Sequence, residues 1–166
     1  MEQMGAEKSL ILKPAYIESA IAAEGMGKSK QQVAADAFDL LKTSAEQLSA
    51  SEIQALLGLA GDLIESKEAI GLLNHLLLLR NHQCHEDIAI SLQRLRDPSS
   101  IPNLAAAIEQ DFDFYAWDEG KAFVRKCMWA LGKIGTDQAW SEIEQFSKAQ
   151  DPVIARWAKE QLDGRT

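Results

Sequence analysis

Four side chains able to bind a soft or borderline metal, His75, His82, Cys84 and His85, fall within eleven positions of this chain. Zinc would need them to converge tetrahedrally, each ring held by a further hydrogen-bonding partner. Their spacing matches no zinc signature, and the stretch from Asn81 to Cys84 reads as a turn between helices, so a structural role is expected. A second candidate, Ala22-Ala23-Glu24-Gly25-Met26-Gly27-Lys28-Ser29, fits a relaxed phosphate-loop pattern with Ala22 in place of the first glycine. That chemistry needs a strand before the loop and backbone N–H groups pointing at a phosphate. Here a helical pattern from Tyr16 to Ala23 precedes it, so a glycine helix stop followed by a Ser29 cap is the expectation. No Gly-x-Ser-x-Gly or His-Glu-x-x-His motif occurs, and Cys84 beside His85 has no evident oxyanion donors. The expectation is a protein with no catalytic role, no metal and no cofactor.

Residues 109–120 differ from the rest. Glu109, Asp111, Asp113, Asp118 and Glu119 alternate with Phe112, Phe114, Tyr115 and Trp117, and no Lys or Arg interrupts them. Five of these carboxylates sit in a chain whose net charge is −8. Two roles are open. One or two rings can plug the neighbouring helices while the acids stay solvated. Alternatively the rings are anchors for a partner, because interface energy concentrates in buried aromatics, and the acids complement a basic surface, which governs encounter and selectivity. The candidate partner-binding set is therefore Asp111, Phe112, Asp113, Phe114, Tyr115, Trp117, Asp118 and Glu119.

The elements that must hold this segment are helical throughout, with no period-two run. Pro14 suits the first turn of a helix carrying Ile17, Ala20 and Ile21. Ser29 with Gln32, and Ser49 with Glu52, read as capping boxes opening two further helices. Ser66 is expected to cap the next, whose stripe is Ala69, Ile70, Leu73, Leu76 and Leu77. Beyond residue 85 come helices bearing Ile88, Leu92 and Leu95; then Leu104 and Ile108; then Val124, Cys127, Leu131 and Ile134; then Ala139, Ile143 and Phe146; and last Ile154, Trp157, Ala158 and Leu162. Asp97 or Asp137 is placed to cap a following helix. Trp129 points away from its stripe and is expected to pack on a neighbour, while Trp140 and Trp157 are expected in the core.

The second half repeats. Leu92, Leu95, Asp97-Pro98, Ile101 and Leu104 return as Leu131, Ile134, Thr136-Asp137, Trp140 and Ile143 after 39 residues, whereas Arg125 and Leu131 return as Arg156 and Leu162 after 31. The eight-residue difference falls between Ile108 and Phe123, so the acidic-aromatic stretch is an insertion into a repeat. The run from Arg125 through Ala130-Leu131-Gly132-Lys133-Ile134-Gly135 to Asp137, with Ala139 and Ile143 after it, resembles the bacterial HEAT-like, or phycobilin-lyase-type, repeat. Asp151-Pro152, Ile154, Arg156, Trp157, Ala158 and Leu162 resemble the first helix of another copy. The resemblance covers 121–163 best, extends more weakly over 85–108, and implies an all-α fold: a short right-handed α-solenoid of antiparallel helix pairs. Such stacks bury a shared core and use their long surface for binding.

At 166 residues the chain suits one domain, 1–166, with degenerate helices over 1–80 and the repeats over 85–163. Its negative charge argues against a nucleic-acid phosphate backbone. No apolar run is long enough to span a bilayer. Cys84 and Cys127 stand far apart, as in a reduced, cytoplasmic protein. The expected function is a protein-binding module acting on a basic protein. Small acidic HEAT-like proteins resemble immunity proteins that block a toxin domain, which makes a toxin, or some other regulated protein, the implied partner. Two rival classes follow from the same resemblance. One is a HEAT-like enzyme of the lyase or DNA-glycosylase type, for which the chain is short and acidic. The other is a fragment-like scaffold.

Overall fold

The computed structural model describes Gly27, residues 29–112, 118–119 and 121–165; the expected helix at Pro14 to Ala23 and most of the glycine-lysine stretch lie outside them. The described residues form eight α-helices joined by short turns, with no strand among them. The chain divides after Ile64 into two compact units.

In the first unit, helices α1 (Lys30–Ser44) and α2 (Ala50–Ala60) pack against one another. Ala37, Phe38 and Leu41 on α1, and Ile53, Leu56 and Ala60 on α2, are buried, which is the three-to-four spacing of one helix face. Ser29 caps α1 by accepting from the Gln32 N–H at 3.2 Å. Ser49 and Glu52 form the full reciprocal box at α2: the Glu52 N–H donates to Ser49 Oγ at 3.4 Å and the Ser49 N–H to Glu52 Oε2 at 2.8 Å. Each satisfies amides that the first helical turn leaves without a partner.

The second unit holds α3 (Ile70–Leu78), α4 (His85–Leu95), α5 (Ile101–Glu109), α6 (Ala122–Ile134), α7 (Asp137–Phe146) and α8 (Pro152–Asp163). Consecutive helices pack on one another, α3 on α4, α5 on α6, α6 on α7 and α7 on α8, and so do helices two apart. α4 packs on α6 and α6 on α8, while α3 packs on α5 and α5 on α7. Leu73, Leu76, Leu77, Leu92, Leu104, Met128, Leu131 and Ile143 fill the space between them and are essentially inaccessible. Burying a leucine-sized side chain contributes about 1.5–3 kcal/mol, so this apolar filling dominates the unit's stability. Leu92 and Leu131, and likewise Leu104 and Ile143, are equally buried and 39 residues apart.

Three expectations are corrected here. Ser66 makes no cap bond to the backbone; its hydroxyl donates to Glu68 Oε2 at 3.3 Å, and the chain enters α3 through a 3₁₀ turn. Asp97 does cap the turn that follows it, accepting from the Ser99 N–H at 2.9 Å, but Thr136, not Asp137, caps α7, accepting from the Ala139 N–H at 3.3 Å, because Asp137 is already inside the first turn. Trp140 and Trp157 are half-buried instead of core, their outer faces covered by arginines. Gly135 ends α6 in the left-handed region, at φ 69°, where a side chain would be strained.

Candidate functional site

The acidic-aromatic segment leaves the end of α5 and returns at the start of α6. Gln110 turns out of the helix, its side-chain amide donating to the Leu78 carbonyl at 3.3 Å. Asp111 is exposed, but its carbonyl accepts from Arg80 Nη1 at 2.7 Å. Phe112 then drops into the interior and is 4% exposed. Its ring lies 4.4 Å from the His85 ring and 5.6 Å, edge-on, from that of Phe123, with the Arg80 guanidinium over it at 5.6 Å. At the other end the half-buried Asp118 holds the start of α6, its Oδ2 accepting from the Ala122 N–H at 2.5 Å. Carboxylate charge at a helix N-terminus is stabilising. Glu119 is exposed in the turn. Lys121 adopts a left-handed conformation at φ 48° and pairs with Asp151 Oδ2 at 2.6 Å, which keeps the Asp151 carboxyl below its ordinary range.

Of the eight expected partner-binding residues, Asp111, Phe112, Asp118 and Glu119 are therefore placed, while Asp113, Phe114, Tyr115 and Trp117 lie outside the described residues. Phe112 is buried, so it serves as the plug and not as a presented ring. The segment is fixed at both ends by contacts that the fold itself makes.

The plug explains the histidines. His82 and His85 are buried and stacked, ring centroids 4.1 Å apart. His82 Nε2–H donates to the Leu76 carbonyl at 2.8 Å while its Nδ1 accepts from the Cys84 N–H at 3.1 Å, which fixes the tautomer. His85 Nε2–H donates to the Leu79 carbonyl at 2.7 Å. Both imidazoles thus serve backbone carbonyls at the C-terminal end of α3, that of Leu76 also accepting from the Leu79 N–H at 3.1 Å. Burial lowers the pKa of His82, and burial together with the neighbouring His82 lowers that of His85 to about 4. His75 is on an exposed face of α3. Among the described residues no three His, Cys, Asp or Glu side chains gather as a metal site would require. Cys84 and Cys127 are free, buried thiols, and burial pushes the pKa of both up, which favours the thiol over the thiolate.

No protein-family model, no curated protein and no solved structure matches this chain.

The arginines and tryptophans of α6, α7 and α8 pair in a way their separate positions in the sequence do not announce. The Arg125 guanidinium lies between two indoles, 4.9 Å from the Trp129 ring and 5.1 Å from that of Trp157. Arg156 covers Trp157 at 4.4 Å, and Arg165 covers Trp140 at 4.8 Å. Trp129 is 38% exposed. The available signal was the Arg125-to-Trp129 spacing, which puts cation and indole one helical turn apart.

Proposed function

We propose that this protein is a HEAT-like helical-repeat module that binds a basic protein partner through the segment between Phe112 and Asp118, and that its role is to neutralise or regulate that partner. The observation that carries the reading is the anchoring of the segment. Phe112 is sunk against His85 and Phe123, and Asp118 is tied to the first turn of α6, so the fold invests buried contacts in both ends of an insertion. Between the anchors run Asp113-Phe114-Tyr115-Ala116-Trp117, three rings with an acid, and the exposed Asp111 and Glu119 flank them. Such a composition suits a hot spot of aromatics inside a charged rim.

The solenoid reading is supported by the packing of helices two apart as well as of consecutive ones, and by the equivalent burial of Leu92 and Leu131, 39 residues apart. A toxin domain held by its immunity protein is one partner of the required basic kind. Among the described residues no helix is long and apolar enough to cross a membrane. A reducing, cytoplasmic setting accords with the free cysteines.

The test is kinetic. Against a captured basic partner, Trp117→Ala or Tyr115→Ala should mainly raise the off-rate, with a loss of about 2 kcal/mol or more at a hot spot. Asp111→Lys with Asp113→Lys should mainly slow association and flatten its salt dependence. Equal rates for all three variants and the parent would overturn the assignment.

A further inference from the structure

A second surface on the same unit has the opposite character. An open groove of about 570 Å³ runs between α4, α6, α7 and the end of α8, lined by Gln93, Trp129, Lys133, Trp140, Gln161 and Arg165, with Gly132 and Gly164 completing it. Both of its charged residues are cations, and no carboxylate lines it, in a chain with 25 acidic residues against 17 basic ones. Lys133 and Arg165 are exposed, and no ion pair between described residues engages either. The floor is kept low by Gly132: a Cβ there would sit 2.4 Å from Gln161 Oε1 and push that amide aside. The cationic strip continues one turn back along α6, which carries Arg125, Lys126 and Lys133 and no acid. Lys126 is committed to Glu86, but Arg125 makes no ion pair among the described residues, and its Nε is buried with no hydrogen-bond partner.

We infer that this groove is a docking site for a short acidic peptide segment of a protein partner. Each lining group matches one part of such a ligand. The ammonium of Lys133 and the guanidinium of Arg165 suit carboxylates, the guanidinium in a two-pronged fashion. The amides of Gln93 and Gln161 each offer a donor and an acceptor, which an extended backbone requires. The exposed face of Trp129 offers a flat apolar seat for an aliphatic or aromatic side chain. A nucleic-acid strand also stacks on indoles, but its phosphates continue well beyond a groove of this size onto a molecule of net charge −8. A short peptide ends before that. At physiological salt, charges more than about 8 Å away are largely screened, so the local cations govern its binding.

The probe is a fluorescein-labelled peptide of alternating Asp and Leu, compared by fluorescence anisotropy with a Lys-Leu twin and an oligouridylate of equal length. The whole chain is used. The Asp-Leu peptide should bind best and weaken as salt rises. Trp129→Ala and, separately, Lys133→Glu with Arg165→Glu should each raise its Kd about tenfold or more. The charge-reversal pair is exposed and should melt like the parent, so it keeps the test valid if Trp129→Ala folds poorly. Replacing 113–117 by Gly and Ser should leave this binding unchanged, which separates it from the insertion's role. Absence of binding, equal or tighter binding of the Lys-Leu peptide or the oligouridylate, or indifference of the Asp-Leu peptide to the charge reversal would each overturn the inference.

Discussion

Acid should destabilise the second unit well before its carboxylates titrate, and the stacked histidines set the size of the effect. In the folded protein the His85 pKa is lowered to about 4 from an ordinary 6.5, and that of His82 is lowered too. Between those two pH values the unfolded chain binds more protons than the folded one, so stability falls as pH is lowered through the window. For His85 alone, linkage gives a loss of about 2 kcal/mol on going from pH 8 to pH 5, and about 3 kcal/mol once pH is below 4. His82 adds in the same direction. Asp97 and Asp151 also have lowered pKa, through hydrogen bonds to Ser99 and Lys121 respectively, but their contribution is present above about 3.8 and is lost only below it. Urea melts at pH 8 and pH 5 therefore isolate the imidazoles, and His82→Gln with His85→Gln should remove most of the difference. Titration by NMR should find the His85 ring neutral at pH 5. Equal stability at the two pH values, or a His85 pKa near 6.5, would refute the reasoning.

Other consequences are readily measured. Leu131→Ala truncates a fully buried side chain and should cost about 2–5 kcal/mol in denaturant melts, whereas Asp111→Ala, at an exposed position, should cost under about 0.5 kcal/mol. Phe112→Ala should cost about 3–5 kcal/mol, because it empties the pocket against His85 and Phe123; a neutral result would mean that the segment is not anchored there. Circular dichroism should show helix without substantial strand, as the eight helices require. Cys127, with its thiol buried and its pKa pushed up, should resist alkylation until the protein unfolds; fast native labelling would contradict its placement.

Local features were the legible ones. The Ser29 and Ser49 caps could be read because an N-cap bond spans only three residues, and the buried stripes because their period is that of the helix. The Ser66 cap is missing where the chain begins as a 3₁₀ turn, Lys67–Ala69, with no amide bonded to the Ser66 hydroxyl. Trp129 was readable as lying off its stripe, but its exposure depends on what neighbouring helices leave uncovered. Trp140 and Trp157 were misjudged because their half-burial comes from Arg165, Arg125 and Arg156, contacts that the stripes alone do not encode. At the candidate site the anomaly of 109–120 was visible in composition. Which ring is the plug was not, since Phe112 rests on His85, elsewhere in the fold; the Asp118 cap is local, its bond reaching only four residues on. The histidines drew attention as possible ligands, yet their position just past the end of α3 suited carbonyl capping.

The most direct measurement replaces Asp113-Phe114-Tyr115-Ala116-Trp117 with Gly and Ser while keeping Phe112 and Asp118. Parent and variant are then compared by quantitative affinity capture, with thermal melts run in parallel. The two should melt alike, because both anchors remain, and a basic protein bound by the parent should be lost from the variant. Retention of that protein by a variant of unchanged stability would contradict the claim that this segment is the binding site.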